Sequence, residues 1–520
     1  MIPPEKYYIN VGRASDLKNK KDKFIYRALE IFPGFLVWTT FILMIILSWI
    51  APFWAAIFII AFCSYWLLRT AHFTLHLVAA YRQMKKNLNI NWIEKLDELK
   101  IENCKLKINW REIYHLVILP MYKEGYGIVD STMKALASSD YPKDKIIVVL
   151  AIEERAGKEA KEVVDKIKKE YEDKFFKFLI TVHPKGIPGE IAGKGSNETW
   201  AGKEVKEKII DVEKIPYENI IVSCFDIDTQ VFPQYFSCLT FHYLTCKKPL
   251  RSSFQPIPLY LNNFWEAPFF SRLVSSMNVF WQMMQQQRPE KEITYSSHAM
   301  GFLPLVEMDF WQKNVVSEDA GIFWKAFLFY DGDYRVVPIH YPITMDAVAA
   351  ASFPKTAINQ YKQQRRWAGG SEGIPYLIFG CLKNKKIPFK KAFTYSFLIV
   401  EGFWAWATNA ILILCLGWLP LVLNKSNFHS TVLAYNLPYI TRNLMTIAMV
   451  GLFVCVIINI LLAPRPKDFN LRRRFFLLVQ WIFFPFGLII FGSFPSIEAQ
   501  TRLMLGKYPG FWVTEKVRKT

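Results

Sequence analysis

The stretch FPGFLVWTTFILMIILSWI at residues 32–50 carries no charge, over a length that as a helix crosses a hydrocarbon core of ~30 Å. A second apolar run from Phe53 to Leu68 continues into HFTLHLVAAY, with only Ala51 and Pro52 between the two runs, which predicts two membrane helices joined tightly. A signal peptide is the alternative for the first run, but its apolar core is too long and no persuasive cleavage site follows. Composition agrees, since 52% of residues are hydrophobic and 16% aromatic, gathered into runs at the two ends of the chain. The class is membrane protein.

Between the runs, from Arg82 to about Lys390, the chain is charged and mixed. YHLVILP (114–120), KIIVVLAI (145–152), FKFLITV and NIIVSCF read as buried strands. The stretch after Gly125 and the charged segment from about Gly157 to Lys174 read as helices between them. Strand and helix in alternation predict an α/β unit with a mainly parallel sheet and helices outside. Apolar character returns near 394–423, 443–463 and 475–494, the first too long for one upright crossing and carrying Glu401.

Basic residues set the expected orientation. Seven Lys or Arg precede the first span and PRPKDFNLRRR (464–474) is strongly basic, so both belong on the cytoplasmic side, and two N-terminal spans return the α/β unit there as well. Three later spans would carry the tail, with Arg502, Lys507, Lys516, Arg518 and Lys519, to the other side, against its charge. Either one apolar stretch is re-entrant or interfacial, or 394–423 hides a hairpin; a cytoplasmic tail is expected. The implied organisation is a basic segment (1–31), two membrane helices (32–81), a linker or amphipathic helix (82–110), a cytoplasmic α/β unit (111–375), three or four interfacial and membrane helices (376–500) and a basic tail (501–520). The location expected is the plasma (inner) membrane.

A net charge of +19 raises nucleic acid, an acidic membrane surface or an anionic substrate. No nucleic-acid motif is present, and basic flanks of apolar spans answer to membrane orientation and anionic lipid, so the bilayer ranks first and no nucleic-acid partner is expected. The eight cysteines show neither CxxC nor Cys/His spacing, which argues against a zinc site or a disulfide framework.

The chemistry starts at FDIDT (225–229), directly after the apolar run NIIVSC. Strand side chains at i and i+2 share a face, so Asp226 and Asp228 could serve one divalent cation that also binds phosphate oxygens. Alone, the DxD tripeptide reads more readily as an ordinary solvated turn. SEDAGIFWKAF (317–327) supplies Glu318 and Asp319 ahead of an apolar helix, and INQYKQQRRWAGG (358–370) supplies Gln363, Arg366 and Trp367 as QxxRW. Separately, these also read as a helix start and a basic interfacial helix.

In this order and spacing, the DxD, ED and QxxRW motifs resemble the family 2 glycosyltransferases, in particular the membrane-embedded branch of cellulose and hyaluronan synthases. The resemblance covers roughly residues 111–370. It implies a GT-A type, nucleotide-sugar-binding α/β fold and inverting transfer from a nucleotide sugar with Mg²⁺ or Mn²⁺. It also implies that Asp226 and Asp228 hold metal and diphosphate, that Asp319 is the general base with Glu318 supporting it, that Arg366 pairs with phosphate, and that Gln363 and Trp367 serve the sugar site. Single displacement at the anomeric carbon asks for one carboxylate opposite the departing diphosphate and for cations beside it.

Three segments match less specifically. LPMYKE (119–124) offers Tyr122 and Glu124 to the nucleotide, with Lys123 where the family often has Asn. GKGSN (193–197) offers Lys194, its alternative being a flexible glycine loop, and SSHAMG (296–301) offers His298 to the donor or acceptor sugar. RSSFQPIPLYLNNFW (251–265) matches in character without a role. The chain departs from the pattern at AIEER, where Glu153 and Glu154 stand in place of Asp-Asp; Glu153 can still bind the base, although the nucleotide's identity is then less fixed. The expected activity is extension of a polysaccharide from a nucleotide sugar, UDP-linked by the resemblance, and processive. The alternatives are single addition to a lipid-linked acceptor, or an inactive transferase-like scaffold.

Overall fold

The computed structural model describes residues 3–423, 427–466 and 470–508, with residues 510, 512 and 518. Lys467 of the basic PRPKDFNLRRR run, and Lys516 and Lys519 of the tail, lie outside the described residues.

Eight strands form one sheet: β1 (Tyr114–Met121), β2 (Ile146–Glu153), β3 (Lys177–His183), β4 (Ile220–Cys224), β5 (Gln230–Val231), β6 (Ser252–Leu259), β7 (His298–Gly301) and β8 (Arg335–Thr344). Their order is β3-β2-β1-β4-β7-β6-β8-β5. The first four strands are mutually parallel, as are β6 and β8, while β7 runs antiparallel to both β4 and β6 and β5 antiparallel to β8. The fold is therefore α/β with a mainly parallel sheet, and the antiparallel β7 at its centre is the feature the sequence did not announce.

The first strands read as continuous apolar runs because both faces are covered. Leu116 and Ile118 of β1 join one apolar cluster with Ile147 and Val149 of β2, whereas Val117, Leu119, Val148 and Leu150 join the cluster on the opposite face. The helix Lys158–Tyr171 supplies Ala160, Val164, Ile167 and Tyr171 to that second face at helical spacing and leaves its charges in solvent. Strand order reverses at β1, between β2 and β4. The crevice outside the carboxyl ends of such strands is where α/β sheets take ligands.

Among the described residues, five helices are long and apolar enough to cross a membrane: Lys20–Ile50, Pro52–Leu88, Phe389–Cys415, Val432–Leu462 and the interrupted Leu471–Met504. The first starts ahead of its apolar run because Asn19 caps it, accepting from the backbone N of Lys21 and Asp22. Arg69 of the second pairs with Glu401 of the third, so the acid noted in that apolar stretch has a partner within the helical layer. The last is broken, with 3₁₀ geometry at Gln480–Phe483 and a π turn at Ile489–Ser493.

The end of this last segment lies beside the beginning of the first. Arg27 donates to the carbonyls of Leu503 (3.1 Å) and Met504 (2.6 Å), and Tyr508 donates to Glu30 at 2.8 Å. The beginning of the first helix and the end of the last segment therefore meet at one edge of the helical layer. The 394–423 stretch hides no hairpin: it is one helix, Phe389–Leu416, followed by the short helix Leu419–Leu423.

Candidate active site

The parallel register continues past the end of β4, where the backbone N of Phe225 donates to the carbonyl of Ile118 at 3.1 Å and carries the chain to the crevice. There the DID sequence turns sharply, closed by Thr229 N donating to Asp226 O at 2.9 Å. Strand alternation does not place the two acids, because the strand ends at Cys224. The turn separates them. Asp226 is part-exposed, while Asp228 is buried, its Oδ2 accepting from the backbone N of Asp346 at 2.8 Å and its carbonyl from Nδ2 of Asn262 at 2.9 Å.

Antiparallel pairing of β7 with β4 sets Cys224 opposite His298, so the residues just before β7 lie beside those just after β4. Ser297 Oγ accepts from Asp226 N (3.2 Å), and Ser296 Oγ donates to Asp226 Oδ2 (2.8 Å). The backbone N of Ser296 donates to Asp319 Oδ2 at 2.7 Å. Ser296 has a left-handed backbone, φ 47°, which costs a residue with a Cβ about 1–2 kcal/mol. Gln255 of β6 holds this loop, accepting from Tyr295 N (3.0 Å) and donating to the carbonyls of Tyr295 and Ser297 (3.2 Å each).

GKGSN is no flexible loop: Lys194 opens the helix Lys194–Val205 and is buried. Its Nζ lies 2.9 Å from Asp226 Oδ1 and 3.8 Å from both Glu198 Oε1 and Glu318 Oε1. Burial alone would lower the Lys194 pKa, but Asp226, Glu198, Glu318 and Asp319 together hold the ammonium well above the usual lysine range. Glu198 is fully buried, and burial, reinforced by Glu318, Asp226 and Asp319 against the pull of Lys194, holds its carboxyl well above the usual carboxylate range. Gly195 is required here, since a Cβ on it would sit 2.9 Å from both Gln312 O and Glu318 Cβ.

Glu318 and Asp319 open the helix Glu318–Phe329. The turn ahead of it is fixed by half-buried Glu372, which accepts from Val316 N (2.8 Å) and Ser317 N (3.1 Å). Burial first, then the neighbouring Asp319, pushes Glu318 up to about 7 against the pull of Lys194 and Arg366. Of the QxxRW helix, Phe353–Ala368, Arg366 faces the acids closely enough to act on Glu318 and on Tyr260. Trp367 packs half-buried against the cluster containing Tyr260 and Met345. Gln363 is buried beside Gln360, whose Nε2 donates to it at 3.3 Å. Arg365 turns the other way, to Glu498 at 2.7 Å.

The remaining expected residues lie at the ends of β1 and β2. Glu153 is buried and held by Arg155 through two bonds of 2.6 and 2.9 Å, and the Arg155 guanidinium lies 4.7 Å from the centre of the Tyr122 ring. Glu124 accepts from Tyr122 N at 2.7 Å, while Glu154 accepts from Lys185 N at 3.0 Å, away from the acids. His298 is buried with Nδ1 3.3 Å from Ser296 O; burial and Lys194 depress it to about 4, so it is neutral and braces the Ser296 loop.

Ser296, Ser297, Glu198, Gln255, Arg155, Glu372 and Asp346 were missed by sequence reasoning. Glu198 had a signal, standing one helical turn after Lys194. Asp346 had none: its side chain is buried, and Arg518 from the tail pairs with it at 2.7 and 3.0 Å.

Among the described residues no group of three or more His, Cys, Asp or Glu is arranged to hold a metal ion. The donor set nonetheless fits Mg²⁺ or Mn²⁺ shared with a ligand, since such ions are commonly held by one or two carboxylates and completed by phosphate oxygens and water.

No protein-family model matches the chain, and no curated protein matches it. Among solved structures, a mannosyltransferase, PcManGT from Pyrobaculum calidifontis in complex with GDP-Man and Mn²⁺, is similar at 14% identity over 76% of this chain and 99% of its own, with a TM-score of 0.40. TarS 1–349 of S. aureus is similar at 9% identity over 76% of this chain and 92% of its own, TM-score 0.34. The same TarS fragment in complex with UDP-GlcNAc gives 11% identity over 76% and 93%, TM-score 0.32.

Proposed function

We propose that the chain is a membrane-embedded, inverting glycosyltransferase of GT-A type that uses a nucleotide sugar, its catalytic unit spanning about 111–375 on the cytoplasmic side of the plasma membrane. The observation that carries this reading is the meeting of Asp226 and Asp319 at Ser296, with Lys194 and Arg366 beside them. Asp319 takes the proton of the acceptor hydroxyl as its oxygen bonds to the anomeric carbon, and the bond from that carbon to the diphosphate oxygen breaks on the opposite side. Lys194 and Arg366 hold the charge that departs, and a divalent ion bound through Asp226 and Asp228 would neutralise the rest. Glu318 supports Asp319. Tyr122, Glu124 and Glu153 face the nucleotide, and Gln363 and Trp367 face the sugars; His298 keeps the Ser296 loop in place.

The product is a polysaccharide extended processively, a reading supported by the QxxRW helix lying against the membrane layer at Glu498. Single addition to a lipid-linked acceptor is the second reading, favoured by a largely apolar cleft, carrying Arg272 and Asn459, between the catalytic unit and the helix Val432–Leu462. Purified protein with Mg²⁺ or Mn²⁺ and a panel of labelled nucleotide sugars tests both. Release of nucleoside diphosphate with label in a long polymer or in a lipid fraction chooses between them, and no transfer or hydrolysis of any donor removes the proposal.

A further inference from the structure

A cleft that opens to its surroundings lies between the segment that follows β6, the helix Phe269–Gln285 and the helix Val432–Leu462. One wall is shared with the acids. Tyr260 lines the cleft and feels the charges of Asp226, Asp228 and Asp319, and Asn262, two residues on, donates to the carbonyl of Asp228.

The single charged group in this wall is Arg272. It donates from Nε to Gln480 Oε1 at 3.1 Å and from Nη1 to Ala267 O at 2.7 Å, and its ring neighbour is Phe264. Among the described residues no carboxylate pairs with it, and burial lowers it to about 10. Beside it stand two buried amides with unused capacity: the Nε2 donor of Gln480 and the Oδ1 acceptor of Asn459, whose Nδ2 is spent on Ser276 at 2.7 Å. A half-buried guanidinium with no counter-charge wants an anion. An orphaned amide oxygen wants a hydroxyl donor. Phe264, Phe280 and Leu462 complete the walls with hydrocarbon.

We propose that this cleft binds the headgroup of a membrane lipid that carries both a phosphate and free hydroxyl groups, the phosphate at Arg272 and Gln480 and a hydroxyl at Asn459. Apolar walls and a helix of membrane-crossing length decide for a lipid over a soluble phosphate or an acidic sugar chain. From the transferase reading the inference takes only that an acceptor reaches Asp319 from the membrane side, and the binding itself does not need that reading to hold.

The test is native mass spectrometry of the full-length protein titrated with phosphatidylglycerol, phosphatidic acid and phosphatidylcholine, with no nucleotide sugar present. Phosphatidylglycerol should bind at least ten-fold more tightly than phosphatidylcholine, and Arg272→Gln should abolish that preference while Arg272→Lys keeps most of it. Asn459→Leu should cost the preference of phosphatidylglycerol over phosphatidic acid and leave phosphatidic acid binding unchanged. Equal binding of phosphatidylglycerol and phosphatidylcholine, or a preference that survives Arg272→Gln, overturns the proposal. Should Arg272→Gln not fold, Asn459→Leu decides alone, an unchanged preference for phosphatidylglycerol over phosphatidic acid counting against it.

Discussion

Asp226 and Asp319 are joined through one serine: Ser296 donates from Oγ to Asp226 Oδ2 at 2.8 Å and from its backbone N to Asp319 Oδ2 at 2.7 Å. A candidate metal ligand and a candidate base thus share a rigid bridge, which fixes the distance over which a donor and an acceptor sugar would meet.

Replacing Asp319 by Asn keeps an oxygen for the Ser296 N–H and removes the proton acceptor. Transfer should fall by roughly 10²–10⁴-fold, the usual worth of a general base, with nucleotide affinity within two-fold of wild type. Initial rates with a labelled donor, set against calorimetric binding of the nucleotide, check this. Equal turnover of the two proteins would leave the inactive-scaffold alternative standing.

Ser296 offers a paired test. Ser296→Gly and Ser296→Ala both lose the hydroxyl bond to Asp226, but only glycine adopts φ 47° without strain. Both variants should lose activity alike, while the glycine variant is the more stable by about 1 kcal/mol. Thermal unfolding in detergent reads the difference.

Glu318 makes stability fall as pH rises. Burial and Asp319 raise its folded pKa from 4.5 to about 7, so between those values the folded protein holds a proton that the unfolded chain has released. Its contribution is full below 4.5, declines across the window and is lost above 7. Melting temperatures from pH 4.5 to 8 should therefore decline less steeply for Glu318→Gln than for wild type, and parallel curves would show that Glu318 does not titrate there.

Gly195→Ala should destabilise by about 1–3 kcal/mol, because the added methyl meets the backbone oxygen of Gln312 and the Glu318 stem at 2.9 Å with nothing flexible to give way. Transfer should drop further than stability, since the shift moves Glu318 and Lys194 together. Comparing residual activity with folded fraction separates the two effects.

Removing divalent cations with a chelator should abolish transfer, and Mg²⁺ or Mn²⁺ should restore it in wild type but not in Asp228→Asn. Restoration in that variant at the same metal concentration would take Asp228 out of the metal site.

The strands β1, β2 and β4 were legible because each is an uninterrupted apolar run, and FDIDT stood out because it follows one of them. The reason given for pairing Asp226 with Asp228 was wrong, since a turn rather than strand alternation presents them. β7 was hidden because HAMG has neither length nor alternation to mark a strand, and with it went the part played by Ser296. Gln255 and Asp346 reach the site only through the pairing of β6 with β7 and β8, long-range partnerships that leave no local pattern. Leu471–Met504 has the hydropathy of a crossing helix, and nothing in its apolar run marks the 3₁₀ and π turns that break its backbone.

The helix that carries Gln363, Arg366 and Trp367 is tied by Tyr361 and Arg365 to Glu498, almost at the end of the chain. A disturbance of the Leu471–Met504 segment would therefore reach Arg366 through Glu498 and leave Asp226 and Asp319 held at Ser296, so the arginine answers to the helical layer while the acids answer to the sheet.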